Sequence, residues 1–442
     1  MKNSHLAFRF LLRVSALALL TLAGAGLAPA GAAEQGGKAK PNVVVLLVDD
    51  AALMDFGIYG GEARTPNIDA LAGRGAMFTQ YRSSPLCAPS RAMLLTGVDN
   101  HQNGVATIPE VIPREQVGKP GYSLSLEPGV ATLADYLRAA GYRTYMTGKW
   151  HLGSEQGNLP DGHGFDRSFA LDASGADNWE DKSFMPFYED APWFEDGKPA
   201  DLPADFYSSK FIVSKMIDYI DAGDAAKPFF AYVAFQAIHI PVQAPPEFTA
   251  HYKGVYDAGW EAMRAARHTR AIEKGLIPEG AKLAPMPKSA RPWASLSGDE
   301  QKLYAARMEV NAGMLEAMDF HVGKLIAHLK EKGQYENTIF VVTSDNGPEP
   351  SRGDDNLLLK IWMDFNGYHI GPDHIGEKGS WGFIGPEWAN AAASPSDLFK
   401  FYAASGGVRV PFVMAGPGVP RERISSFALV TDIAPTLLTL AG

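Results

Sequence analysis

The chain has 442 residues, of which 46% are hydrophobic and 20% charged, the balance of a folded globular protein and not of a disordered one. Fifty acidic residues against forty basic ones give a formal net charge of −10, which argues against non-specific binding to nucleic acid or to an anionic membrane surface. The single cysteine, Cys87, excludes an intrachain disulfide and a Cys-rich zinc site.

Residues 1–33 read as a secretory signal peptide. Lys2, Arg9 and Arg13 supply a basic start, Val14 to Leu22 a short apolar stretch, and Ala28-Pro29-Ala30-Gly31-Ala32-Ala33 the small residues of a cleavage site, with an uncleaved anchor as the alternative. The mature protein is expected to begin near Ala33 and to be exported, periplasmic or secreted, without a membrane attachment once the signal is removed.

Pro41-Asn42 opens Val43 to Val48, a branched apolar run that predicts a parallel strand buried on both faces and ends in Asp49-Asp50. Cys87 follows, in Pro85-Leu86-Cys87-Ala88-Pro89-Ser90-Arg91 ahead of Thr96-Gly97, and then His101, which reads as a loop histidine with no catalytic part. Thr132 to Ala140 predicts a helix stopped at Gly141, and Tyr142 to Thr147 a strand before Gly148-Lys149-Trp150-His151. Ile212, Met216 and Ile220 share one helical face; Phe229 to Phe235 predicts a strand before His239; Asp299 to Lys330 predicts a long helix; Ile339 to Thr343 predicts a strand before Asp345-Asn346-Gly347.

This alternation predicts an α/β fold, a large, mostly parallel sheet sandwiched by helices, spanning 40–442. Polar residues collect just past the carboxyl end of each strand, where open α/β sheets build ligand sites. Residues 245–298 and 350–398, rich in Pro, Gly, Trp and charge, read as long irregular loops that wall the site and choose the organic part of a substrate.

Taken singly, the polar residues are ambiguous: acidic pairs cap turns, Lys149 and Lys400 could be solvated, and His151 and His239 could be hydrogen-bonded loop histidines. Asp49, Asp50, Asp345 and the amide of Asn346, gathered on one rim, would repel one another unless a hard cation neutralised them, and oxygen ligation of this kind suits Ca²⁺ or Mg²⁺.

The Cys87 segment resembles the C-x-P-S-R signature of type I sulfatases, of the alkaline phosphatase superfamily. Gly141 to His151 is similar to a second signature of that family, Ala237-Ile238-His239-Ile240-Pro241 to its H-x-P segment, and Gly406-Gly407-Val408-Arg409-Val410-Pro411 to its G-G-x-R-x-P. The resemblance implies an alkaline-phosphatase-like fold and hydrolysis of aryl or alkyl sulfate esters. It implies that Cys87 is oxidised by a formylglycine-generating enzyme to formylglycine, whose hydrate attacks sulfur with one hydroxyl and is regenerated through the other. The positions it carries over are Asp49, Asp50, Asp345 and Asn346, with residue 87, as ligands of Ca²⁺ (Mg²⁺ being possible), Arg91 holding the hydrated aldehyde, Lys149 and Lys400 gripping sulfate, His151 exchanging protons with the nucleophile and His239 protonating the leaving group. It also makes Thr431 to Gly442 look like the helix that leads into a small C-terminal domain, which is therefore expected to be absent or truncated. Two alternatives stand beside this reading: a phosphonate or phosphate ester hydrolase of the same superfamily, and a non-catalytic sulfate-binding protein with an unmodified Cys87.

Overall fold

The apolar run after Pro41 is a strand, β1 (Asn42–Val48), buried at all seven positions. In the computed structural model, residues 39–155, 157–353 and 356–442 are described; the predicted signal peptide lies outside them. Eleven further strands follow in chain order: β2 (Ala76–Phe78), β3 (Tyr81–Arg82), β4 (Arg143–Lys149), β5 (Arg167–Leu171), β6 (Trp193–Glu195), β7 (Lys198–Pro199), β8 (Phe229–Ala234), β9 (Thr338–Ser344), β10 (Phe412–Ala415), β11 (Arg423–Ile424) and β12 (Ala428–Leu429). Ten of the twelve form one sheet in the order β11-β2-β10-β9-β1-β8-β4-β5-β6-β7, and β3 pairs with β12 apart from it.

The centre of that sheet is parallel, β9-β1-β8-β4-β5, as the alternation of helix and strand predicts. Towards the edges β10 runs antiparallel to both β9 and β2, and β6 antiparallel to β5. Val44, Leu46 and Val48 of β1 enter one core and Val43, Val45 and Leu47 the other, so the uninterrupted apolar run serves two layers at once. Helices Ser208–Ala222 and Gly298–Glu331 supply Ile212, Met216, Met314 and Met318 to the first core. Helices Cys87–Thr96, Leu133–Ala139 and Ile433–Ala441 supply Leu94, Leu95, Leu133, Leu137 and Leu437 to the second. Two of these helices start on capping boxes, Thr132 with Asp135 and Ser297 with Glu300. Lys40–Gly442 forms one compact unit, and no helix among the described residues is long and apolar enough to cross a membrane.

The segments expected to be irregular contain helices. Gly259–Glu273 is helical over fifteen residues, and Leu357–Phe365 and Gly385–Ala392 are helical within 350–398. The first escapes an apolar-periodicity reading because its buried face carries Arg264 and Arg267 beside Trp260 and Met263. Arg267 is paired inside with Asp55 (2.7 Å) and Glu62 (2.6 Å), and Arg264 donates to the carbonyl of Asn390 (2.7 Å), so buried charge takes the place of aliphatic packing.

β4 runs two residues further than predicted, through Gly148 to Lys149. Gly148 is required there: its φ is +103°, and a Cβ would stand 1.8 Å from the carbonyl oxygen of Ala234 on the neighbouring strand. That close approach carries Lys149 to the carboxyl edge of the sheet.

Candidate active site

Parallel register sets the carboxyl ends of four strands side by side. Val48 of β1 pairs with Ser344 of β9, and Leu47 of β1 and Gly148 of β4 both pair with Ala234 of β8, so the next residues of each strand reach one rim. Asp49-Asp50, Lys149 to His151, His239 and Asp345-Asn346 therefore meet, and the first turn of helix Cys87–Thr96 adds Cys87 and Arg91 from below. All ten residues carried over from the family signatures, Lys400 included, are buried in this cluster, with 5% or less of any of them exposed.

The contacts are dense. Arg91 lays Nη2 on Asp345 Oδ2 (2.7 Å) and Asp49 Oδ2 (3.2 Å), and donates from Nη1 to the carbonyl of Lys149 (2.7 Å). Lys149 donates to Asp49 Oδ2, and the Cys87 thiol lies 3.5 Å from Asp49 Oδ1. Lys400 Nζ sits between Asp50 Oδ1 and Glu349 Oε2, 2.8 Å from each. Asn346 donates to Asp50 Oδ1 from its amide nitrogen. The turn that holds Lys400 closes on Gly406 and Gly407, where a Cβ would meet the carbonyls of Leu398 at 1.9 Å and Tyr402 at 2.1 Å, and the neighbouring Arg409 is structural, bonded to the carbonyls of Thr79 and Leu276.

Four carboxylates (Asp49, Asp50, Asp345, Glu349) face three cations (Arg91, Lys149, Lys400), one negative charge in excess in a water-poor interior. Burial pushes Asp50 well above the ordinary carboxylate value, and Asp49 above it too, helped by repulsion from Asp345. Burial works the same way on Asp345 and Glu349, but Arg91, Lys149 and Lys400 outweigh it at the first and Lys400 at the second, and both end below the ordinary range. Burial pushes the Cys87 thiol well up, so the unmodified side chain is a neutral, weak nucleophile. Burial, reinforced by Lys149, Arg91 and Lys400, holds His151 well below the ordinary histidine value; burial with Lys149 and Lys400 does the same to His239.

The donor set fits a hard divalent cation. Asp50 Oδ2 and Asn346 Oδ1 are buried with no hydrogen-bond partner, and donor atoms of Asp49, Asp50, Cys87 and His239 all lie within 4.8 Å of one another. Asp345 borders this point, its Oδ1 accepting from the Asp50 N–H (3.2 Å) and its Oδ2 held by Arg91. Asp50 and His151 themselves adopt left-handed backbone, φ +63° and +59°, a strain of about 1–3 kcal/mol each that the surrounding contacts must hold in place.

A cation held at this point would bind the folded chain only, so at 100 times its Kd it would stabilise by about 2.7 kcal/mol. Chelation is therefore expected to lower Tm by about 3 °C for a chain of this size. In the cation-free protein the raised Asp50 favours the folded state only while protonated, and that contribution is lost as pH rises through the raised value. The Tm gap between cation-saturated and chelated protein should thus widen from mildly acidic to neutral pH in a thermal scan; a gap that narrows would remove the cation from this site.

Two carboxylates escaped the sequence reading. Glu349 follows Asn346 by three residues and would have been found by extending the rim past Gly347. Glu110 belongs to no motif; the turn Pro109–Val111 brings its carboxylate 3.8 Å from His151 Nε2, with the Tyr188 hydroxyl donating to the same oxygen. His101 lies exposed on the short helix Asn100–Asn103.

A cavity of about 270 Å³ opens above the cluster. His239, Glu349 and Lys400 form its polar floor, and Phe184, Ile240 and Trp381 are among its walls. Cys87 lies behind this floor with no exposed surface.

A family model described as Sulfatase matches residues 41–442. The chain is 36% identical to an arylsulfatase of Klebsiella aerogenes over 93% of this chain and 89% of that one. It is 35% identical to an uncharacterized sulfatase of Schizosaccharomyces pombe over 92% of this chain and 76% of that one. The crystal structure of Ps i-CgsB superposes with a TM-score of 0.62 at 25% identity, over 91% of this chain and 72% of that one.

Proposed function

Because the chain belongs to the sulfatase family and is a sulfuric ester hydrolase, we propose that it works as an exported arylsulfatase whose Cys87 is converted to formylglycine beside a divalent cation. One observation carries this: the lone cysteine is a neutral, fully buried thiol packed against Asp49 at the focus of four carboxylates and three cations, a position of no use to a thiol nucleophile. Maturation by a formylglycine-generating enzyme and export guided by residues 1–33 belong to the same proposal. Carboxylate-rich, flexible oxygen ligation favours Ca²⁺, with Mg²⁺ as the alternative.

When present, the hydrated aldehyde supplies a nucleophilic hydroxyl and the cation supplies its polarisation. Arg91 fixes Asp49 and Asp345 and so keeps the rim rigid around residue 87. Lys149 and Lys400 flank the space where sulfate oxygens would lie and stabilise the charge that grows on them, each such contact being worth about 3–4 kcal/mol by comparison with oxyanion holes. His151 is neutral at rest, with neither ring nitrogen hydrogen-bonded, and is ready to take a proton at Nε2; Glu110 then faces an imidazolium and stabilises it. His239 Nδ1 lies 2.6 Å from the Ile240 carbonyl, and because a carbonyl only accepts, the ring proton is on Nδ1. Donation from Nε2 would need the cationic ring, which burial, Lys149 and Lys400 oppose. Lys400 holds its proton firmly: Asp50 and Glu349 overcome the cost of burial and push it well above the ordinary lysine value. The donor at the departing oxygen is accordingly assigned to the Lys400 ammonium, while His239 Nε2, unprotonated, is left as an acceptor only.

Rates on 4-nitrophenyl sulfate and on a nitrophenyl phosphonate ester, measured side by side on matured protein, test the reaction class. The sulfate is expected to lead in kcat/KM by at least about tenfold, 1.4 kcal/mol of transition-state discrimination. The reverse order would make the chain a phosphonate hydrolase, and turnover of neither would leave a sulfate-binding protein.

A further inference from the structure

Three separate segments bring apolar side chains to the cavity above the site, two of them exposed. Val111, 47% exposed, comes from the turn Pro109–Val111; Phe401, 40% exposed, follows Lys400; and Leu359 comes from helix Leu357–Phe365, all three lining the cavity. That helix continues the apolar surface outward. Its inner face, Leu359, Trp362 and Met363, packs on the core, while Leu357 (71% exposed), Leu358 (79%), Ile361 (56%) and Phe365 (91%) fall on one outward stripe at i, i+1, i+4 and i+8. An exposed stripe of four large apolar residues on a nine-residue helix marks a contact surface. The stripe begins on the next face of the same helix, Leu358 standing about 100° around the axis from Leu359, which is a cavity wall.

The charged groups of the cavity are already engaged. Lys400 is held by Asp50 and Glu349, Arg352 donates to the Tyr304 hydroxyl (2.9 Å), and Glu110 accepts from Tyr188. What an incoming group meets outside the floor is mainly aromatic and aliphatic surface, which suits a hydrocarbon better than a hydroxyl-rich sugar. Resting on the sulfatase reading above, we propose that the substrates are amphiphilic sulfate esters: the sulfate and its aryl group fill the cavity, and an apolar tail runs out past Leu359 onto the stripe of Leu358, Ile361 and Phe365.

A series of 4-alkylphenyl sulfates from ethyl to octyl, kept below micelle formation, tests this with the leaving group held constant. Contacts to the tail are the same in the ground and transition states, so they appear in KM and leave kcat nearly level. A buried methylene is worth about fourfold in affinity, and one half-covered on an open helix face about twofold, so KM is expected to fall about 60-fold from ethyl to octyl. The double variant Leu358→Ser, Phe365→Ser, which alters only exposed positions, is expected to keep about 8-fold of that fall. A KM that levels off beyond butyl in the unaltered protein, or an equal gradient in the variant, overturns the proposal. So does a dimer in sedimentation that the double variant dissociates while the gradient stays, since a second copy would then own the stripe. Calorimetric binding of 4-alkylbenzenesulfonates separates the two claims. If no ester is cleaved but sulfonate affinity climbs with tail length, the reaction assignment fails and the tail site stands; if esters are cleaved with no dependence on length, the reverse holds.

Discussion

Cys87→Ala is expected to lower kcat on 4-nitrophenyl sulfate by on the order of 10⁶-fold, the loss seen when a covalent nucleophile is deleted from an otherwise intact site. The fold should tolerate it. Cys87 is a small, fully buried side chain at the start of helix Cys87–Thr96, and trimming one sulfur costs about 1 kcal/mol in a core of this kind. Removing the thiol also relieves no ion pair, because burial keeps it neutral. A Tm lowered by no more than about 1 °C with lost turnover therefore assigns the chemistry to residue 87. Cys87→Ser sharpens the result: a single hydroxyl can attack sulfur once but has no second hydroxyl to release it, so at most one equivalent of nitrophenol should appear. Steady turnover by the alanine variant would make residue 87 a packing residue and remove the mechanism.

Lys400→Ala is expected to lower kcat by about 10²–10³-fold on 4-nitrophenyl sulfate, as when one well-placed donor is taken from a developing anion. On unsubstituted phenyl sulfate the loss should be larger, because its more basic oxygen depends more on a proton as it leaves. This inequality is the informative part. Lys400 also neutralises Asp50 and Glu349, and stripping a partner from buried charges costs about 3–5 kcal/mol of stability. A purely structural lysine would slow both esters by the same factor; a proton donor would not. His239→Ala gives the contrast: with its ring proton spent on Ile240, it should slow both esters alike.

The strand ends were legible because a strand buried on both faces announces itself as an apolar run, unbroken and branched in β1, apolar throughout in β8 and mostly so in β9, while β4, with Arg143, Thr144 and Thr147, is marked more by the helix stop at Gly141 before it and the polar Lys149 to His151 after it. Once four such runs are set parallel, their trailing polar residues must meet, so Asp49, Asp50, Lys149, His151, Asp345 and Asn346 could be grouped from sequence alone. His239 joins them past the end of β8, its role alone coming from signature likeness, whereas Cys87, Arg91 and Lys400 came from signature likeness and not from periodicity. Helix Gly259–Glu273 stayed hidden because its inner face holds Arg264 and Arg267, which a hydrophobicity pattern counts as outside. The antiparallel edge at β10 stayed hidden because four residues, Phe412–Ala415, carry no mark of direction. Glu110 could not be found at all from sequence: only the folded path of the turn Pro109–Val111 brings it to His151.

The same electrostatics link the pieces of the site. Without a cation, four carboxylates outnumber three positive groups, and Asp50 is driven up by burial. A divalent ion would reverse the local sign to one net positive charge, which is what a sulfate monoester anion needs to approach a chain whose overall charge is −10.

The most direct measurement is the intact mass of the proteolytic peptide that carries residue 87, taken from active protein made in its native host. Conversion of the thiol to the aldehyde predicts a peptide about 18 Da lighter than the encoded one, in proportion to specific activity. A fully active preparation in which residue 87 is found only as cysteine would contradict it.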